Sequence, residues 1–175
     1  MPIPPDLDVR PLVPGDLDAV IGLIGRCDRT YLEWAPAGWQ PPELGWYRDR
    51  WERRMRDPEH WARGAFDREG GLRGLVAWLP ELDAEGCPRP GVAHVSAVFV
   101  DPPRWREGIA GALLALAEDA MRACGFSVAH LFTPAGSPAE RLYETCGWQA
   151  TGERDWFAEL GLAVVGYRKP LTSPS

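Results

Sequence analysis

The chain has 175 residues, enough for one compact domain with a sizeable core over residues 1–175 and too few for a comfortable second one. Hydrophobic residues at 45% and charged residues at 25% match ordinary globular usage and exclude disordered or fibrous classes. A formal net charge of −6 argues against nucleic acid as a partner, because a phosphate backbone wants a basic surface, and suits a cationic small molecule better.

No apolar run reaches the roughly 20 residues of a membrane helix, and Met1 to Asp6 lacks the charged and apolar regions of a signal peptide. The expectation is a cytoplasmic protein with no membrane partner. Cys27, Cys87, Cys124 and Cys146 lie far apart without a CxxC pair, so they read as reduced structural thiols, with no metal site. Lys169 is the only lysine among 19 basic residues and asparagine is absent, a bias that points to a GC-rich genome.

Taken in chain order, Val9 to Leu12 is a short strand, and Pro14-Gly15-Asp16 opens a helix carrying Leu17, Val20, Ile21 and Ile24 at helical spacing. An aromatic linker holding Tyr31, Trp34 and Trp39 follows, and Leu44, Tyr47, Trp51 and Met55 then mark a second amphipathic helix. Trp61 to Asp67 and Leu72 to Leu82 are strands joined by a glycine-containing hairpin turn. A loop with Gly86, Pro88, Pro90 and Gly91 leads into the nearly continuous apolar strand His94 to Val100. Ile109, Leu113, Leu116, Ala117, Ala120, Met121 and Cys124 define a long helix that stops before Gly125. Val128 to Thr133 is another buried strand. Ser137-Pro138-Ala139-Glu140 combines a capping box with Pro at the first helical position, starting a helix that ends before Gly147. Trp148 to Arg154 and Ala163 to Lys169 close the chain as strands joined through Asp155 to Glu159.

The chemically informative unit is the strand Val98-Phe99-Val100 running through Asp101-Pro102-Pro103 into Arg104-Trp105-Arg106-Glu107-Gly108-Ile109-Ala110-Gly111. A small-residue turn at a helix N-terminus offers unpaired N–H groups and the positive end of the dipole, which suits a pyrophosphate. The same glycines also suit close helix packing. No Gly-Lys-Ser/Thr follows, so this is no P-loop, and the GxGxxG spacing of a Rossmann turn is absent.

The stretch Val98 to Leu114 resembles the acetyl-CoA motif of GNAT acetyltransferases, in which a strand end is followed by Q/R-x-x-G-x-G/A. Ser137 to Trp148 resembles the family's A-x-x-L-Y-E-x-x-G-F/W motif at a similar distance. Two departures stand out: Trp105 replaces the usual Gln/Arg, with Arg104 and Arg106 beside it, and Gly136 with Ser137 replaces a frequent Asn. The resemblance implies an α/β (α+β) GNAT fold, a mixed and mostly antiparallel sheet of about seven strands with splayed central strands and about four helices. It also implies acetyl-CoA as cofactor and an N-acetyltransferase acting on a primary amine of a small molecule. The cofactor site would comprise Val98, Phe99, Val100, Arg106, Glu107, Gly108, Ile109, Ala110, Gly111 and Ser137, with the pantetheine adding to the strand end through its backbone. Tyr143, at the family's tyrosine position, would protonate the leaving thiolate.

In such a fold Tyr31, Trp34, Glu81 and Trp156 would face the acceptor, where aromatic faces and carboxylates favour a cationic amine. Strand alternation puts His94, Ser96, Val98 and Val100 on one face, and the segment Ala93 to Val100 resembles arylalkylamine acetyltransferases, which carry a histidine at the position of His94. An imidazole titrating near pH ~6.5 makes His94 the candidate base, with Glu81 and Asp83 or water as alternatives. The rival readings are a non-catalytic acyl-CoA-binding module and a protein-interaction module on the same fold. The oligomeric state stays open, a homodimer being one option.

Overall fold

The computed structural model describes residues 2–171. Among them run β1 (Asp8–Pro11), α1 (Leu17–Thr30), α2 (Leu44–Arg56), β2 (Trp61–Phe66), β3 (Leu72–Leu82), β4 (Pro88–Val100), α3 (Ile109–Ala123), β5 (Val128–Pro134), α4 (Pro138–Thr145), β6 (Gln149–Phe157) and β7 (Leu162–Pro170). The strands form one seven-stranded sheet in the order β1-β2-β3-β4-β5-β7-β6. Every pairing is antiparallel except β4 with β5. No helix of the described residues is long and apolar enough to cross a membrane.

The helices divide between the two faces of the sheet. Val20, Leu23 and Ile24 of α1 and Trp51 of α2 pack against Leu75 and Ala77 of β3 and Ala97 of β4. On the other face, Ile109, Leu113, Ala117 and Met121 of α3 and Tyr143 of α4 pack against Val76, Trp78, Val95 and Leu131. Leu113 is fully buried, and replacing such a leucine by alanine costs about 2–5 kcal/mol. Gly125 ends α3 at φ 87°, where the N–H of Phe126 reaches back to the Met121 carbonyl at 3.1 Å. Lys169 closes this side: its ammonium donates to both oxygens of buried Glu118, at 3.0 and 2.8 Å, and to the Cys146 carbonyl at 2.7 Å.

Three local expectations change. β4 begins at Pro88, because Asp83 closes the preceding turn by accepting the Cys87 N–H at 2.8 Å, and pairing with β5 starts only at Val92, so the prolines interrupt no ladder on that side. β6 runs through to Phe157, so the aromatic Trp156 and Phe157 lie on a strand. The capping box is displaced by one residue: Glu140 accepts from the Gly136 N–H at 2.6 Å, while the Ser137 hydroxyl sits 3.5 Å from that of Thr133.

Two irregularities in the middle of the sheet create the working space. β4 and β5 pair only at Val92–Val128, Ala93–Ala129 and His94–His130, and then part. Beyond that point β4 pairs with β3 alone and β5 with β7 alone. Within β4, Ala77 pairs with Ala97 and Trp78 with Val95, leaving Ser96 as a bulge. The bulge breaks the alternation. Val95, Val98 and Val100 join the α3 face, whereas Ala97 and Phe99 join the α1 and α2 face. His94 therefore lies on the side opposite Val98 and Val100, contrary to the plain period-two reading.

Candidate active site

Where the strands part, a cavity of about 310 Å3 passes from one side of the sheet to the other. Asp28 of α1, the inward side of α2, His94 to Phe99 of β4, Phe132 to Pro134 of β5, Tyr143 of α4 and Asp155 to Phe157 of β6 line it. The gap explains how Tyr143, rooted in the α3 side, shares a space with Asp28 and Tyr31 from the α1 side.

Two buried polar atoms in this lining have no partner among the described residues: Oδ1 of Asp28 and Oγ of Ser96. Leaving such atoms unsatisfied costs about 1–3 kcal/mol each, so they mark a place where a ligand can replace water. Asp28 is 2% exposed, and the Tyr47 hydroxyl donates to its Oδ2 at 2.7 Å. Burial pushes the Asp28 carboxyl up to about 6, with the Tyr47 hydrogen bond pulling the other way. Burial likewise raises the Tyr143 phenol, with the neighbouring Cys146 adding to it, so it keeps its proton at neutral pH.

His94 lines the cavity, but burial pulls its imidazole down to about 4, and nearby Arg54 and Arg50 push the same way as His130. It is neutral at pH 7 and a poor proton acceptor, which corrects the expectation of an unperturbed titration. His130 behaves oppositely. Burial opposes its charge, but hydrogen bonds to Glu81 through Nδ1 and to Glu153 through Nε2, the latter at 3.0 Å, outweigh burial and raise its pKa. Glu81, His94 and His130 offer ligand atoms within 4.8 Å of one another, yet both imidazole nitrogens of His130 already face carboxylates. The cluster fits a held proton better than a metal ion.

The expected residues fall into distinct places. Tyr143, His94, Val98, Phe99, Tyr31 and Trp156 line the cavity, Trp156 at its rim with 62% exposure. Trp34 stands behind Tyr31, ring centroids 4.8 Å apart, outside the lining. Glu81 is also outside it, bound to His130 and to Arg89 at 2.8 Å, which removes it from acceptor binding. The Val100 carbonyl already accepts from Trp105 Nε1 at 2.7 Å and the Cys27 thiol at 3.2 Å, so it is not open to a pantetheine arm. Trp105, at the position where the motif carries Gln or Arg, thus fastens the strand end to the turn.

Arg106 at φ 70° and Gly108 at φ 81° curl the turn before α3, and no side chain of the described residues caps the helix. The first N–H groups of a 15-residue helix are left for an anion, and the exposed Arg106 stands beside them. Arg104 is occupied by Asp6 and Glu107, which also takes Glu107 out of ligand contact. Ile109 is 1% exposed and belongs to the core, so only its backbone is available. Ala110 and Gly111 are half-buried; a Cβ on Gly111 would meet Cys146 Sγ at 3.6 Å, an ordinary contact, so packing alone does not require a glycine there. Ser137 is buried and lies outside the cavity lining.

Asp28, Arg50 and Arg54 are the lining residues that sequence reasoning missed. A signal existed: each occupies an inward position of an otherwise apolar helical stripe, Asp28 four residues after Ile24, and Arg50 and Arg54 beside Tyr47 and Trp51.

This architecture, a mostly antiparallel sheet split between β4 and β5 with a glycine turn opening α3, is that of an acetyltransferase fold. The profile of the Acetyltransferase (GNAT) family matches residues 27–148, and the chain belongs to that family. No curated protein matches its sequence. Among solved structures it is similar to the PaiA N-acetyltransferase from Thermoplasma acidophilum in complex with coenzyme A, with 15% identity, TM-score 0.72, and 94% of this chain and 98% of that one covered. The ribosomal-protein-S18-alanine N-acetyltransferase from Escherichia coli has 16% identity and TM-score 0.68, covering 97% and 96%. The spermidine/spermine N-acetyltransferase SpeG from Vibrio cholerae, solved with manganese ions, has 20% identity and TM-score 0.63, covering 95% and 93%. At these identities the likeness carries the fold alone.

Proposed function

We propose that the protein is an acetyl-CoA-dependent N-acetyltransferase that acetylates a primary amine of a small molecule by direct transfer. The observation that carries this reading is the cavity at the β4–β5 parting, which brings the protonated Tyr143 and the unpartnered Oδ1 of Asp28 to one space. Acetyl-CoA supplies a thioester whose carbonyl carbon accepts the amine. The unpaired N–H groups at the start of α3, with Arg106, fit its pyrophosphate. The edge of β4 that β5 leaves free, short of the occupied Val100 carbonyl, fits its amide-bearing arm.

In this reading Asp28 takes the amine proton, since a carboxylate held near 6 is matched to a base working at neutral pH, whereas His94 near 4 is not. The new C–N bond forms as the C–S bond breaks, and Tyr143 gives its proton to the departing thiolate. Each exchange contributes roughly 10²–10⁴-fold. A small-molecule amine as partner and a cytoplasmic location belong to the same reading.

The test is release of coenzyme A thiol from acetyl-CoA across a panel of amines, beside a melting experiment with acetyl-CoA alone. A ligand that binds only the folded state raises the melting temperature, by an equivalent of about 2.7 kcal/mol at 100-fold over its Kd. Thiol release with a subset of amines is expected. A melting shift without turnover on any amine favours a binding module, and no shift at millimolar acetyl-CoA removes both readings.

A further inference from the structure

We propose that the acceptor amine also carries a carboxylate, held by Arg50 and Arg54, so that the substrate is of the amino-acid class with an apolar side chain. The inference rests on the acetyl-transfer reading above and narrows its substrate.

α2 presents Tyr47, Arg50, Trp51 and Arg54 to the cavity, at i, i+3, i+4 and i+7 on one side of the helix. Its other arginines, Arg48, Arg53 and Arg56, are exposed, and Arg48 and Arg56 pair with Asp18 at 2.8 Å and Glu52 at 3.1 Å. Arg50 and Arg54 are different. Both are partly buried, and among the described residues neither has a carboxylate within ion-pair distance. Burial lowers both guanidinium groups, Arg54 to about 9, with Arg50 and Arg53 adding to the strain on Arg54. Arg50 is fixed in place over the rings of Trp46 and Phe157, at 5.2 and 5.5 Å from their centroids.

Two cations one helical turn apart in a partly desolvated pocket repel one another and lack a counter-charge. The carboxylates of the same cavity do not supply it. Asp28 is bonded to Tyr47 and Asp155 accepts the Trp156 N–H at 2.7 Å, while Glu159, outside the lining, acts on Arg50 only at a distance. An incoming anion would. Guanidinium groups match a carboxylate in shape and donor geometry, and such charge-assisted bonds are the strong ones. The coenzyme's pyrophosphate is not the candidate, because the α3 turn that fits it belongs to the opposite side of the sheet.

The rest of the pocket agrees with an amino acid. Asp28 can face the amine while Trp46, Trp51, Phe99 and Phe157 offer apolar walls. The overall charge of −6 pointed toward a cation, but the lining pairs one buried acid with two unneutralised bases, which suits a zwitterion.

The test compares product-like ligands in matched pairs: N-acetylphenylalanine with N-acetylphenethylamine, and N-acetylleucine with N-acetylisopentylamine. Binding is read by quenching of tryptophan fluorescence in the wild type, Arg50→Gln and Arg54→Gln, each variant first shown to melt like wild type and to keep its shift with acetyl-CoA. We expect the carboxylated member to bind at least ~10-fold tighter in wild type, and either substitution to erase most of that preference. Coenzyme A release with phenylalanine or leucine against the matching amine should show the same order in kcat/KM. Equal or weaker binding of both carboxylated ligands overturns the proposal, as does a preference that survives in both variants. Equal turnover of amino acid and plain amine would leave acetyl transfer standing while removing the carboxylate. Selective binding of the carboxylated ligands without any thiol release would uphold the anion site and remove the transfer.

Discussion

The hydroxyl of Tyr47 donates to Oδ2 of Asp28 across the α1–α2 contact at 2.7 Å, and Oδ1 of the same carboxyl is left bare in the cavity wall. A carboxyl raised to about 6 from 3.8 binds more protons when folded, so its contribution to stability falls as pH climbs from about 4 through 6. The penalty at pH 7 is on the order of 2–3 kcal/mol. Asp28→Asn removes the charge and keeps an acceptor for Tyr47. Denaturant unfolding should find it more stable than wild type at pH 7.5 by about 1 kcal/mol, with the advantage vanishing near pH 4, while turnover falls by roughly 100-fold or more. A variant that loses stability at pH 7.5 would contradict the raised carboxyl.

Tyr143 is 6% exposed, and among the described residues its phenol makes no hydrogen bond that holds it elsewhere. Tyr143→Phe preserves the ring packing against Trp148 and Tyr167, whose centroids lie 6.0 and 5.9 Å away. Turnover should drop by about 10²-fold with the melting shift caused by acetyl-CoA unchanged. Unaltered turnover would take Tyr143 out of the chemistry.

At φ 81°, Gly108 holds a left-handed conformation at the start of α3. Gly108→Glu adds strain of about 1 kcal/mol together with a carboxylate at the helix N-terminus, whereas Gly108→Asn adds a side chain that tolerates this backbone and carries no charge. Both variants should fold. The glutamate variant alone should lose the acetyl-CoA melting shift, and retention of the shift there would place the pyrophosphate elsewhere.

His130 joins β5 to β3 through Glu81 and to β6 through Glu153. Its raised pKa means that the stabilisation is complete below the ordinary value of ~6.5 and is lost as pH rises through the higher folded value. His130→Asn should therefore cost about 2 kcal/mol at pH 5.5 and less at pH 9, in paired urea unfolding curves. A gap that widens with pH would mean that the imidazole is held neutral.

Periodicity made most of the fold readable. Ile109, Leu113, Ala117 and Met121 form one buried stripe, and the glycine after Cys124 ended α3 where a left-handed residue is required. The bulge at Ser96 is not readable from the sequence, because its place depends on which residues of β3 oppose β4, and plain alternation without it puts His94 on the same side as Val98. Glu81 misled for a similar reason: its partner, His130, is 49 residues away in sequence. Asp28, Arg50 and Arg54 break the apolar stripes of their helices, a local sign that they turn inward, but nothing local says that the opposite sheet opens into a cavity there.

Lys169, tied to Glu118 and the Cys146 carbonyl, is the one lysine of the whole sequence. This member of an acetyltransferase family thus has its single lysine side chain already engaged in hydrogen bonds, and incubation with excess acetyl donor should leave that side chain unmodified. The same scarcity makes the molecule awkward to cross-link with amine-reactive reagents and leaves arginine to supply its other fixed positive charges, groups that a thioester does not acylate.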